Sequence, residues 1–373
     1  MSVIKTLLTG IDNSYRSYTY SSEGAIVFLT YKCTSRCKTC NMWKRPLEGN
    51  ELSWEEWKPI IEKLAQNNLR SIELFGGDAL LRKELLIKMV QLCKQVGIRT
   101  FFPTNSNLLD EETAMQLVET GLGTIYFSLD EISSLNGSIR GVEDHFDKVN
   151  RAVQFIKKHR GSKKEPNMVC ITTLSRLNYR MLDNFIEYVN SIPFDMYMLR
   201  GLTEFNAKTI RSSAVNGICP EPYFTSNDSS SNLFNKNEAE ELLNKLKEVK
   251  SRVKKDGSVP VNMENMDILS IENLINGSYP KMKCQFCTTQ MILTPNGDVV
   301  PCLYFNRYII GNLKKQEVKQ VWGNKRHREF CAQQRNSKID ICNYCSIKFY
   351  HKSFSATVGS LFDKVQEKIL ASK

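Results

Sequence analysis

The chain has 373 residues, 41% of them hydrophobic, and lysine plus arginine exceed aspartate plus glutamate by 51 − 40 = 11. That length holds one large domain and a smaller one, and no apolar run reaches the roughly 18 residues a membrane span needs. The opening stretch, MSVIKTLLTGIDNSYRSY, lacks the apolar core and cleavage site of a secretory signal, so a cytoplasmic address with no membrane partner is expected. The positive surplus would favour an anionic ligand, but a solvated lysine-rich surface explains it more simply than nucleic-acid binding does.

Residues 1–24 read as an N-terminal extension. From 25 to 202 apolar strand patterns alternate with helix patterns. The strands are expected at Ala25–Thr30, Ser71–Phe75, Ile98–Phe102, Thr124–Leu129, Met168–Leu174 and Met196–Leu199. Ser53 and Glu56 have capping-box spacing ahead of an apolar stripe of Trp57, Ile60, Ile61 and Leu64, although Pro59 strains that helix. Leu85, Leu86, Met89 and Cys93 mark the next helix, with Gly97 as its C-terminal cap. Asp110 and Asn178 suit the N-caps of later helices. Strands alternating with helices imply a parallel sheet with right-handed crossovers. Six such units make an α/β fold, a partial (β/α)6 TIM-like barrel rather than a closed eight-fold one.

A connecting region, 203–280, follows. Asn216–Asn232 reads as a loop, and Glu238–Lys255 as a basic amphipathic helix with Leu242, Leu246, Val249 and Val253 on its apolar side. A small α+β domain is expected over 281–354. Its strands Gln290–Thr294 and Asp298–Cys302 flank the turn Pro295-Asn296-Gly297, and a helix runs from about Gln316 to Gln334. Residues 355–373 are expected to form a helical tail.

In α/β folds of this kind chemistry gathers at the carboxyl ends of strands. Cys33, Cys37 and Cys40 follow strand one, Gly76-Gly77-Asp78 strand two and Thr104-Asn105 strand three, while Ser128 and Asp130 close strand four. Twelve cysteines in a long chain with no secretory signal point to metal or iron–sulfur ligation rather than disulfides. Cys93 and Cys170 read as small core residues. Three thiolates on one short loop suit zinc or an iron–sulfur cluster. With no fourth ligand nearby, a cubane with one open iron fits better than a closed zinc site.

Cys33-x3-Cys37-x2-Cys40 after the first strand of a parallel barrel resembles the signature of the radical S-adenosylmethionine (SAM) superfamily. The resemblance implies that these cysteines hold three corners of a [4Fe–4S] cluster. SAM chelates the fourth iron and is reductively cleaved to a 5′-deoxyadenosyl radical that abstracts a substrate hydrogen. Gly76-Gly77-Asp78 resembles the family's Gly-Gly-Glu-Pro motif, with Asp78 and Ala79 in place of the glutamate and proline. Thr104-Asn105, Ser128-Leu-Asp130 and Arg140-Gly141 resemble further pieces of the SAM cradle. By that likeness Gly76, Gly77, Asp78, Asn105, Ser128, Asp130 and Arg140 are expected to bind the cofactor.

Near the other end, Cys284-x2-Cys287-x14-Cys302 and Cys342-x2-Cys345 resemble the SPASM/Twitch extension, as do the hairpin at Pro295–Cys302, Gly311-Asn312-Leu313 and Trp322. The resemblance implies one auxiliary [4Fe–4S] cluster on Cys287, Cys302, Cys342 and Cys345, with Cys284 a rival for the first position. Whichever of Cys284 and Cys331 is left unpaired is a candidate hydrogen-atom donor. Two paired CxxC motifs also allow a zinc-ribbon reading.

The expected activity is a two-electron oxidation by an oxidoreductase, with a small molecule of sugar, aminocyclitol or nucleotide type as substrate. A reducing partner such as flavodoxin or ferredoxin would supply electrons. Only about 25 residues precede the first strand, too few for a leader-peptide recognition domain. A peptide- or protein-modifying maturase is the alternative substrate class. A non-catalytic iron–sulfur or zinc protein is the alternative of another kind, and it would have no need of a SAM cradle.

Overall fold

The computed structural model describes residues 22–46, 49–132, 139–192, 194–224, 232–253, 258–263, 266–281 and 284–349. The expected tail at 355–373 and most of the N-terminal extension lie outside them.

The strands fall within a residue or two of their expected places: β1 Gly24–Phe28, β2 Ser71–Phe75, β3 Arg99–Thr104, β4 Thr124–Ser128, β5 Asn167–Leu174 and β6 Met196–Gly201. Helices α1 Trp54–Gln66, α2 Lys83–Gln95, α3 Glu111–Glu119, α4 His145–Arg160 and α5 Leu182–Ser191 connect them. Helix α1 begins with the expected capping box, in which the Ser53 N–H donates to Glu56 Oε2 at 2.9 Å. The helix runs on through Pro59 because its stripe is locked into the core: Trp57, Ile60, Ile61 and Leu64 are all buried. Asp110 caps α3 by accepting from the Thr113 N–H at 2.7 Å.

β1 through β6 pair in parallel, consecutively. The sheet does not stop at six strands. A seventh, β7 Val261–Asn262, pairs parallel to β6, and β8 Gln290–Leu293 pairs parallel to β1 on the other side. β9 Asp298–Val300 and β10 Gly311–Asn312 then continue antiparallel, so among the described residues one ten-stranded sheet runs β10-β9-β8-β1-β2-β3-β4-β5-β6-β7. The hairpin read from Pro295-Asn296-Gly297 is therefore an extension of the barrel sheet, with Gly297 at φ +82° supplying the turn. β7 escaped notice because two residues carry no periodicity.

Between β6 and the hairpin lie α6 Ala207–Ser212, α7 Lys236–Val253, α8 Ile271–Asn276 and α9 Phe286–Thr289. Leu242, Leu246 and Val249 bury the apolar side of α7, as its spacing predicts. The single helix expected over 316–334 is instead two, α10 Val318–Val321 and α11 Lys325–Arg335. Gly323, at φ +79°, breaks it, and Asn324 caps the second half by accepting from the His327 N–H at 2.9 Å.

Alternation on the strands sorts two faces. Ile72, Leu74, Phe102, Ile125, Phe127, Cys170 and Leu199 are buried on the helix-covered side. The other, concave face carries half-buried Glu73, Phe75, Phe101, Tyr126, Ser128, Ile171, Thr173 and Arg200.

Candidate active site and cysteine centres

The loop after β1 places Cys33, Cys37 and Cys40 together as half-buried free thiols. Two backbone segments grip it. On one side the Gly77 N–H donates to Thr30 O at 2.9 Å and the Asp78 N–H to Lys32 O at 2.8 Å. A Cβ on Gly77 would lie 2.2 Å from Lys32 O, and one on Gly76 2.5 Å from Thr30 O. These glycines are thus required by the approach of β2's end to the cysteine loop itself. On the other side the loop donates from Arg36 N–H to Arg140 O at 2.9 Å and from Lys38 N–H to Ile139 O at 2.8 Å. Gly141, at φ +63°, would press a Cβ to 2.6 Å from Arg36 O.

Burial pushes the thiols of Cys33 and Cys37 up and that of Cys40 to about 12; Asp78 adds to this at Cys33 and neighbouring thiols add to it at Cys37 and Cys40, while Arg140 opposes it at all three. Three sulfurs held this way are poor thiolates on their own. A cationic cluster that binds them as thiolates offsets that cost, so the donor set fits the iron–sulfur group its spacing implies.

The residues expected to bind SAM surround this loop, and several are tied to it. Asp78 Oδ2 accepts from the Thr34 hydroxyl and from Asn105 Nδ2 at 3.2 Å, and Asp78 Oδ1 accepts from the Leu80 N–H at 3.1 Å. Asn105 Nδ2 also donates to Thr34 Oγ1 at 3.0 Å and Ser35 Oγ at 3.1 Å. Asp78 and Asn105 therefore orient the cysteine loop, a role their motifs did not suggest. Asn107, which the sequence did not single out, donates to the same two hydroxyls at 2.9 and 3.1 Å and leaves its buried Oδ1 without a hydrogen-bond partner. That orphan acceptor beside the loop suits an ammonium group. Arg140 pairs with Asp130 at 2.7 Å, while Asp130 also accepts from the Thr173 N–H at 2.8 Å. Ser128 stands half-buried at the end of β4.

Near the other end of the chain, Cys284, Cys302, Cys342 and Cys345 form a second group. Burial raises all four, Cys284 and Cys345 to about 12, and Cys284 is the strongest thiol neighbour of both Cys342 and Cys345. Cys287 also acts on this group, as the largest thiol neighbour of Cys284 and a lesser one of Cys302 and Cys342, and it turns to Cys331 as well. Its pKa is raised first by a hydrogen bond with the Cys331 thiol, and Cys331 Sγ in turn lies 3.7 Å from Cys287 O. His327 braces the same spot: Nε2 donates to Cys287 O at 2.8 Å and Nδ1 accepts from the Gly323 N–H at 2.9 Å. Buried Cys331 thus faces α9, and Cys284 lies among other thiols. Buried Lys348 closes the second group, donating to Cys342 O at 3.0 Å and Tyr279 O at 3.3 Å.

Elements after β6 join the two groups. The Asn41 N–H, next to Cys40, donates to Tyr223 O at 2.5 Å, and the Tyr223 ring lies 5.7 Å from that of Tyr304, two residues beyond Cys302. Thr203 Oγ1 and Ser346 Oγ are hydrogen-bonded at 2.9 Å. Next to Thr203 in the chain, Glu204 is buried, with Oε2 accepting from the Asn232 N–H at 3.1 Å and Oε1 unpartnered. On the concave face burial raises the Glu73 carboxyl, while Arg200 pulls it down. None of these residues had a sequence signal, because each is isolated in the chain and meaningful only once the sheet is assembled.

Comparison with known proteins agrees with this geometry. Family models match residues 27–189 (Radical SAM superfamily) and 284–346 (SPASM, an iron–sulfur cluster-binding domain). Fe-coproporphyrin III synthase of Methanosarcina barkeri is 34% identical over 126 residues, 34% of this chain and 31% of that protein. PqqA peptide cyclase of Rhodopseudomonas palustris is 33% identical over 104 residues, 27% of this chain and 26% of that protein. The chain thus spans about a third or less of these relatives' length. Among solved structures, Streptococcus suis SuiB bound to S-adenosylmethionine matches with TM-score 0.62 at 17% identity, over 90% of this chain and 73% of that one. Native anSMEcpe with bound AdoMet and a Cp18Cys peptide also matches with TM-score 0.62 at 17% identity, over 91% and 99%. Among the described residues no helix is long and apolar enough to cross a membrane. The chain carries a radical SAM superfamily domain and a SPASM iron–sulfur cluster-binding domain.

Proposed function

We propose that this radical SAM enzyme performs a two-electron oxidation of a substrate held on the concave sheet face, between the two cysteine groups. Its cofactors are SAM and [4Fe–4S] clusters, and when bound they supply a radical that removes one hydrogen atom from the substrate. Cys33, Cys37 and Cys40 hold the first cluster and leave one corner open. Asp78, Asn105 and Asn107 fix the loop's orientation, and Gly76, Gly77, Ser128, Asp130 and Arg140 complete the SAM cradle. We assign the auxiliary cluster to Cys284, Cys302, Cys342 and Cys345, with Cys287 outside it. On that assignment four protein thiolates leave no corner for substrate, which suits an electron acceptor; the grouping of these cysteines is the observation that carries the reading. After hydrogen removal the substrate must lose one electron and one proton, and Glu204 Oε1 is the proton-accepting atom. Glu73 and Arg200 offer opposite charges for orienting a polar molecule.

The substrate on this reading is a small polar molecule of sugar, aminocyclitol or nucleotide type, and a flavodoxin or ferredoxin supplies electrons. A peptide substrate is the second reading, favoured by the 33% identity to a PqqA peptide cyclase. Candidates deuterated at carbon decide between them. Deuterium appearing in 5′-deoxyadenosine from a small molecule, with a product two hydrogens lighter, supports the first. Transfer from peptides alone overturns it.

A further inference from the structure

Lys348 is 3% exposed, an unusual state for a lysine. Its amine donates to the carbonyl of Cys342 at 3.0 Å and of Tyr279 at 3.3 Å. Burial lowers its pKa, and thiolates at Cys345, Cys342 and Cys284, three of the four assigned cluster ligands, oppose that and favour the cation. Holding two carbonyls together does not require a charge, since a neutral amide would do it without the desolvation cost of an ammonium. A charge matters where the neighbouring group changes charge.

We propose that Lys348 sets the reduction potential of the auxiliary cluster, making it a better electron acceptor. The inference rests on the ligand assignment Cys284, Cys302, Cys342 and Cys345. When one electron enters, the cluster and its thiolates gain one negative charge and no proton or ligand is exchanged. A fixed cation in a low-dielectric pocket stabilises that extra charge and so raises the potential. In the oxidation proposed above, the electron comes from the substrate after hydrogen removal, and a higher potential favours its departure. Lys348 touches neither substrate nor the reacting carbon; it is a positioning residue for charge.

The test is an EPR-monitored redox titration of the fully reconstituted protein and its Lys348→Met and Lys348→Gln variants, with iron counted in each. Glutamine keeps N–H donors for both carbonyls and lacks the charge. The proposal expects both variants to retain their iron, to shift the auxiliary signal to more negative potential, and to leave the SAM-responsive cluster unmoved. An unshifted auxiliary potential in both, or wild-type potential restored by glutamine, overturns it. So does loss of the auxiliary iron from both, since removing the charge should cost potential and not the cluster. Failure of the ligand assignment looks different: Cys284→Ala would then keep the auxiliary signal whatever Lys348 does.

Discussion

Cys284 and Cys287 are three positions apart and share Cys302 and Cys342 as neighbours, but Cys284 is the thiol that acts most on Cys342 and Cys345, while Cys287 is hydrogen-bonded with Cys331 and braced by His327. Iron analysis should therefore show Cys284→Ala losing the auxiliary cluster and Cys287→Ala keeping it; the reverse pattern would return the ligand role to Cys287. His327 yields a pH prediction. Burial lowers its pKa to about 4, and its Nδ1 is already an acceptor, so the native state holds it neutral. Its folded pKa lies below the unfolded value of about 6.5. The stability it confers is present above that value and is lost as pH falls through about 4, by up to about 3 kcal/mol. Denaturant titrations between pH 7 and 4 should show this loss in the wild type and less of it in His327→Gln. Equal acid sensitivity in both proteins would contradict the assignment. The triplet Cys33, Cys37, Cys40 was legible in the sequence because its ligands are local. Asn107, Glu204 and Lys348 were not, because a buried polar residue has no spacing to betray it.

At the scale of elements, the strand ends and the loops after them do the positioning. β2 delivers Gly76 and Gly77 against Thr30–Lys32, and 139–141 grips the loop from the other side. Gly77→Ala should displace the cysteine loop, because 2.2 Å from a carbonyl oxygen leaves no room for a methyl group. A shift of about 1 Å at a reacting centre can cost roughly 10²-fold in rate. We expect a loss of that order in SAM cleavage, measured as 5′-deoxyadenosine released, with the melting transition still cooperative. Near-normal cleavage would mean the contact is not what demands glycine. Strands β1 to β6 and helices α1 to α5 were readable from apolar periodicity and caps. The split between α10 and α11 was not, since Gly323 breaks a run whose apolar spacing continues across it. β8 read correctly as half of a hairpin, but its parallel pairing with β1 joins residues far apart in the chain.

Over the whole molecule, one sheet carries both cysteine groups, with β8 joining the hairpin to β1 and Thr203 to Ser346 tying β6 to the last ligands. All seven thiols assigned to clusters are raised in the metal-free chain, with Cys40, Cys284 and Cys345 at about 12. Groups raised in the folded state stabilise it fully below the unfolded thiol pKa of about 8.5. That stability is lost as pH rises from there toward about 12. Metal-free protein should therefore lose melting temperature steeply above about pH 8.5. Reconstituted protein, in which these seven thiolates are already coordinated, should lose less, the remainder coming from uncoordinated buried thiols such as Cys93; matching alkaline curves would argue against clusters on these sulfurs. The account depends most on the loop after β1 giving three thiolates to a four-cornered cluster. EPR of the reconstituted, reduced protein before and after adding SAM tests this directly. A changed signal from the first cluster, absent in Cys33→Ala, is the predicted result, and a spectrum indifferent to SAM would contradict it.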